Sequence, residues 1–203
     1  LYALQLPNPH LETRAALPGH TAGVLCCAAS STWSIAVTGS ADHSVIVWDL
    51  NRCRFVRQLK EPDQPIQLVA IDDQRGWIAA AAGSEVWVWS INGFLLVHQS
   101  TRSATNDPPS SMTFVARDFH VDKLGVLVTG HRDCIVMWDI VSNHARATPP
   151  RWRLEKNTVL SLRQSSKVTC LYMPNTSTLC TGHEDGEVYL SLIHISEPTR
   201  LRR

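Results

Sequence analysis

His20, Thr38 and Asp42 supply an imidazole, a hydroxyl and a carboxylate. These are the groups of a nucleophile, its base and the acid that orients the base. Hydrolytic chemistry from such a set also needs an exposed hydroxyl beside a pocket and an oxyanion site. The competing explanation is that the same residues hold the chain together.

Repetition decides between the two. "AVTGSADHSVIVWD" (Ala36 to Asp49) joins an apolar run, Thr-Gly, a polar turn with an aspartate, a second apolar run and Trp-Asp. "LGVLVTGHRDCIVMWDI" (Leu124 to Ile140) repeats that order, and "STLCTGHEDGEVYL" (Ser177 to Leu190) repeats it without the tryptophan. Thr38, Thr129 and Thr181 correspond, as do Asp42, Asp133 and Asp185, while Trp48 corresponds to Trp138. A weaker copy, "GWIAAAAGSEVWVWSINGFLLV" (Gly76 to Val97), keeps the paired apolar runs but has Ala80 or Ala81 where the hydroxyl should be. A catalytic group occurs once, whereas these recur at roughly 40 to 53 residues, the spacing of propeller repeats. The chain is therefore expected to be non-catalytic.

The elements that must position these residues read as short strands. Ile35–Thr38 and Val45–Trp48 are β-rich runs about a tight turn, preceded by "VLCCA" and followed by "RFVRQL". "VTCLYM" (Val168 to Met173) is the matching early strand of the last copy. Four strands per copy without helical periodicity predict antiparallel blades arranged radially, an all-β fold. "TRSATNDPPSS" and "VSNHARATPPR" read as loops between blades.

At this point the residues resemble a known family. Gly19-His20, Thr38, Asp42 and Trp48-Asp49 resemble a WD40 repeat, which implies an incomplete WD40 β-propeller of about four blades. The resemblance implies that the indole N–H, the strand hydroxyl, the Gly-His imidazole and the turn carboxylate form one hydrogen-bonded chain. It maps to His20, Thr38, Asp42 and Trp48, with Thr129, Asp133 and Trp138, then Thr181 and Asp185, as its later copies. Left unmet, each buried group would cost roughly 1–3 kcal/mol. Blade three lacks a Gly-His before its first strand, so its chain is expected to be shorter, and blade two is expected to rely on packing by Trp77, Trp87 and Trp89.

The joining segments "GHTAGVLCCAAS", "VTGSADHSVIVWDLNRCRFVRQL", "VWVWSINGFLLV" and "VLVTGHRDCIVMWDI" are similar to the carboxy-terminal propeller of BEACH-domain scaffold proteins, most of all their FYVE-containing branch. That likeness covers about Leu17 to Tyr189. It implies a protein-binding scaffold in vesicle trafficking or selective autophagy, cytoplasmic and peripheral to endosomal or autophagic membranes through other parts of its parent. A different class, a WD40 substrate receptor or assembly subunit of a ubiquitin ligase, is the alternative. The turns between second and third strands should share one face, presenting His43, His131, Arg132, His183 and Glu184 to partners.

Composition narrows the rest. With 19 Lys+Arg against 18 Asp+Glu, the chain carries no field suited to a nucleic acid backbone or an anionic membrane. Its six cysteines form no CxxC pair and read as reduced. His131 with Asp133, and His183 with Glu184 and Asp185, lack metal-ligand spacing, so neither metal nor cofactor is expected. "EDGEVYLSL" (Glu184 to Leu192) has the acidic-then-aromatic form of peptides that bind ubiquitin-like autophagy modifiers, although Tyr189 is expected in a sheet. Six residues after Asp185 the tryptophan position holds Ser191, and "SLIHISEPTRLRR" has no repeat character. Residues 1–190 are thus expected to be partial propeller and 191–203 a non-native tail.

Overall fold

The computed structural model describes residues 2–5, 10–13, 15–59, 62–103, 107–115, 125–143, 151–162, 166–173 and 178–192. An amino-terminal hairpin pairs β1 (Tyr2–Gln5) with β2 (His10–Thr13). The first blade runs β3 (Val24–Ser30), β4 (Ile35–Ser40), β5 (Val45–Asp49) and β6 (Arg54–Leu59), each antiparallel to the one before. The second comprises β7 (Leu68–Ile71), β8 (Trp77–Ala82), β9 (Glu85–Ser90) and β10 (Leu95–Ser100). The third comprises β11 (Ser111–Val115), β12 (Val126–Gly130), β13 (Cys134–Asn143) and β14 (Arg151–Ser161). Among the described residues the fourth has three strands, β15 (Val168–Tyr172), β16 (Thr178–His183) and β17 (Val188–Leu192). Consecutive pairing of this kind follows from short apolar runs joined by tight polar turns.

Successive inner strands pack side by side, β3 on β7, β7 on β11 and β11 on β15, which sets the blades around a common axis as an incomplete propeller. The blades are apolar on both faces because strand residues alternate sides, and in blades two and three both sides meet a neighbour. Ile35, Val37, Val45 and Val47 of blade one pack on Ile78, Ala80, Trp87 and Trp89 of blade two. Ala79, Ala81, Val86 and Val88 on the other side of blade two pack on Leu127, Val136 and Trp138 of blade three. Val126, Val128, Ile135 and Met137 then meet Val168 and Leu179 of blade four. The chain therefore has a direction: each blade turns its tryptophan face to the blade before it and its other face to the blade after it. The Gln99 side-chain amide adds a polar link, donating to the Leu154 carbonyl at 3.0 Å and accepting from the Leu154 N–H at 3.1 Å.

Glycine sets how closely these blades approach. A Cβ on Gly39 would lie 2.4 Å from Cγ2 of Ile66, and one on Gly130 would lie 2.8 Å from Cγ1 of Val168. In both cases the Thr-Gly glycine makes a seat for a β-branched side chain from the next blade. The main chain follows the same rule, with Ile66 N–H bonded to the Ser40 carbonyl at 3.0 Å and Val168 N–H to the His131 carbonyl at 3.2 Å.

The outer strands share a bulge. Trp48 faces Phe55 while Val47 faces Arg57, so Val56 is an extra residue, and Leu96 and Asn157 are extra at the same place beside Trp89 and Trp138. The ends of the segment 141–151 differ from its reading as a loop between blades: Val141 pairs with Arg153, Ser142 with Trp152 and Asn143 with Arg151 inside blade three, while 144–150 lie outside the described residues. Trp152 sits edge-on to Trp77 at 5.6 Å, an anchor that favours extending the ladder beyond the apolar core. β17 takes in Ser191 and Leu192, the first two residues of the stretch expected to be foreign, and 193–203 lie outside the described residues.

Blades two and three are covered on both sides, whereas β3 and β17 carry exposed apolar side chains. Hydrogen exchange measured by mass spectrometry should be slowest in β8, β9, β12 and β13 and fastest in β3 and β17, because opening free energy follows buried contact. Uniform protection across all four blades would contradict this order.

Candidate functional site

In blade one the four residues singled out by the repeat come together. The Trp48 indole N–H donates to Thr38 Oγ1 at 2.8 Å, and Thr38 Oγ1 lies 2.7 Å from His20 Nε2. His20 Nδ1 is 2.9 Å from Asp42 Oδ2. One proton assignment satisfies all of them: the Thr38 hydroxyl donates to Nε2, and Nδ1–H donates to the carboxylate. Strand alternation places Thr38 and Trp48 on one face, since Ala36 pairs with Trp48 and Thr38 with Ile46.

Asp42 anchors the far end. It also accepts from the Thr21 N–H at 2.8 Å, the Ser44 N–H at 3.0 Å and the Ser44 hydroxyl at 2.6 Å. Burial alone would raise its pKa, yet the bonds from Ser44, Thr21 and His20 outweigh it and hold the carboxyl well below the usual carboxylate range.

Blades three and four build the relay differently. Trp138 N–H donates to Thr129 Oγ1 at 2.9 Å, and that oxygen is 2.9 Å from His131 Nε2. His131 Nδ1 then bonds the backbone carbonyl of Asp107 at 2.9 Å. In blade four Thr181 Oγ1 is 2.9 Å from His183 Nε2, and Nδ1 reaches the Ser166 carbonyl at 3.4 Å. The imidazole comes from the residue two beyond the threonine rather than from a loop before the blade. Blade one has Ser40 there, whose hydroxyl donates to the Gly23 carbonyl at 2.9 Å. In all three blades this position ties the approach to the inner strand onto the second strand.

Two expectations are corrected by that geometry. His131 and His183 are buried rather than presented on the turns, because residues two apart on a strand share a face and the threonine beside them points inward. The signal was the Thr-Gly-His triplet, present twice. Asp133 holds the place of Asp42 in its turn but is exposed, and the Asp107 carbonyl takes the end of the relay. Asp185 is also exposed. The Glu187 N–H, bonded at 3.0 Å, is the main reason its carboxyl sits below the ordinary range. Burial lowers the His131 pKa, which keeps the ring neutral as its accepting Nε2 requires.

Blade two has no relay of this kind at Ala80, which pairs with Trp87 as Thr38 pairs with Ile46. Ala79 to Ala82 are buried with Trp87 and Trp89, small residues opposite large ones. Outside, His98 stacks on Trp87 at 4.8 Å and meets Glu85 at 3.2 Å.

His20, Thr38 and Asp42 thus have the spacing of a hydrolytic set, but the Thr38 oxygen already takes the indole N–H of Trp48. The open groove beside it, about 390 Å³, is walled by Leu17, Pro18, Val24, Ala36 and Trp48. Those walls offer apolar contact. His43, Arg132 and Glu184 are exposed at the turns between second and third strands, all at one end of their blades, and His43 takes a positive φ of 66°. Tyr189 faces Thr181 across the ladder, meets His183 edge-on at 4.9 Å and donates its hydroxyl to Glu187.

A four-stranded blade held by an indole, hydroxyl and imidazole relay defines a class, and residues 11–49 match the family model described as "WD domain, G-beta repeat". The chain is a WD40-repeat β-propeller, incomplete at four blades. Within that class its relatives include BEACH/WD40 proteins. It is 37% identical over 134 residues, 64% of this chain, to "BEACH domain-containing protein A2" of Arabidopsis thaliana. It is 34% identical over 128 residues, 62% of this chain, to "WD repeat- and FYVE domain-containing protein 4" of Mus musculus. Each alignment spans 4% of the relative's length. Among solved structures, the computationally designed Ika4 protein superimposes with a TM-score of 0.59 at 21% identity, over 88% of this chain and 96% of that one, a likeness of fold alone.

Asp42→Asn should lower unfolding stability at neutral pH by about 1–3 kcal/mol. Glu85→Ala, at a half-exposed strand start, should stay within about 0.5 kcal/mol of wild type. Because the folded-state pKa of Asp42 is depressed, its contribution is present above the unfolded value of about 4 and is lost as pH falls below it. Denaturant titrations should therefore show the gap between Asp42→Asn and wild type closing in acid. A gap that widens would reverse the assignment.

The lowered pKa of His131 predicts a second window. The unfolded ring takes up a proton from about pH 6.5 downward while the folded ring resists, so stability falls with pH below that value. His131→Gln should remove this part of the slope between pH 7.5 and 5, read from thermal melts at each pH.

Proposed function

We propose that this chain is a non-catalytic protein-docking module of a BEACH/WD40 protein serving vesicle trafficking or selective autophagy. Its partners are other proteins, met in the cytoplasm, and its parent reaches endosomal or autophagic membranes through other regions. One observation carries the reading: the groups able to do chemistry bond one another inside the blades, while His43, Arg132 and Glu184 are exposed along one rim. A buried scaffold with chemically varied turns suits recognition by shape and charge. The BEACH likeness supports the trafficking role, and among the described residues no helix is long and apolar enough to cross a membrane.

The test is a triple His43→Ala, Arg132→Ala, Glu184→Ala variant in the full-length parent, compared with wild type by affinity capture and quantitative mass spectrometry. A subset of partners should fall at least about tenfold, equivalent to 1.4 kcal/mol, with the melting temperature unchanged. An unchanged partner profile would sink the reading. Hydrolase activity that disappears in Thr38→Val would replace it with a catalytic one.

A further inference from the structure

Asn92–Gly93 is the one Asn-Gly pair in the sequence, and it lies in the turn that joins the third and fourth strands of blade two. Because consecutive strands run antiparallel, that turn is at the end of the blade opposite the turns that hold His43, Arg132 and Glu184. Asn92 is exposed, and Gly93 takes a positive φ of 81°.

Blade one supplies a counterpart. Asn51 stands two residues after Asp49 as Asn92 stands two after Ser90, and it too is exposed. The Asp49 carboxylate accepts the N–H of Asn51 and that of Arg52, each at 2.9 Å. Ser90 offers no carboxylate. Its hydroxyl accepts the Phe94 N–H at 3.2 Å, and the Gly93 N–H goes to the neutral Ser90 carbonyl at 2.8 Å. From blade one the Arg57 guanidinium donates to the Asn92 carbonyl. The Arg52 nitrogen thus faces an anion, whereas the Gly93 nitrogen belongs to a peptide polarised by a cation. A nearby anion makes an N–H harder to deprotonate, and a cation makes it easier.

We propose that Asn92 is a site of spontaneous deamidation, which turns a neutral side chain into a carboxylate beside Arg57. Local opening of the turn frees the Gly93 N–H from Ser90. The Gly93 nitrogen then gives its proton to solvent base and bonds to Asn92 Cγ, the Cγ–Nδ2 bond breaks, and ammonia leaves. Water opens the resulting cyclic imide at either carbonyl, giving aspartate or isoaspartate, with no change of oxidation state. Glycine leaves the attacking nitrogen unshielded, whereas a side chain at Arg52 crowds the equivalent step. The isoaspartyl form also lengthens the backbone of a turn that Arg57 clasps, so it alters the seam between blades one and two.

The test is peptide mapping of the whole chain by mass spectrometry after incubation in mildly alkaline buffer, with synthetic aspartyl and isoaspartyl peptides as standards. Asn92 should react at least about tenfold faster than Asn51. Ser90→Asp restores the carboxylate found in blade one and should slow Asn92 in the folded chain by at least about threefold, while in concentrated urea the variant and wild type should react alike. Thermal melts check that the variant folds. Equal rates at Asn92 and Asn51 would overturn the assignment. So would a folded Ser90→Asp chain that reacts as fast as wild type, or a slowing that persists in urea.

Discussion

The threonine hydroxyl on the second strand of a blade gives one hydrogen and accepts another, and both ends of that exchange are buried. At Thr38, Thr129 and Thr181 the proton goes to an imidazole, and at the first two the oxygen receives an indole N–H from the third strand. The bond therefore fixes the second strand against the third and also against whichever segment holds the histidine. Since an unmet indole N–H or imidazole inside a sheet is costly, sequence and geometry are constrained together. Blade one recruits its imidazole from the loop before the blade, while blade four recruits it from the second strand and blade three from the residue just after it. The hydroxyl is the fixed part of the device and the histidine the movable part.

A second constraint comes from the blades' two-sidedness. The third-strand tryptophans and their relays face backward along the chain, and valines, alanines, Ile135 and Met137 face forward. Blade two keeps this polarity after losing the relay, because Trp87 and Trp89 fill the space beside Ala80 and Ala82. Packing there does the work that hydrogen bonding does at Thr38. The thiol of Cys26, held up at about 11 by burial, sits in the same interface as a small hydrophobe.

Much of this was legible in the residues. The spacing of Thr38, Thr129 and Thr181 marks equivalent strands, and counting from Asp185 reaches Ser191, which the ladder pairs with Leu179 as it pairs Trp48 with Ala36. Blade two was legible up to a choice between Ala80 and Ala81, which register resolves in favour of Ala80. His131 and His183 were misplaced because a turn motif was read where strand alternation still applied. The ends of the segment 141–151 were misread because Val141 to Asn143 pair in a ladder anchored by Trp152, a contact with Trp77 made across a blade boundary that local pattern does not encode.

The bulge beside each tryptophan bears on how such a chain tolerates change in length. With Val56, Leu96 or Asn157 present, the outermost strand resumes its alternation one step out of phase. Losing the bulge at Val56 would send every later side chain of β6 to the opposite side, turning Leu59 away from the core and Gln58 into its place. Turns such as the one at His43 can lengthen or shorten with no such inversion, so insertions and deletions in lineages of this repeat belong at the rims and not along the outer edge.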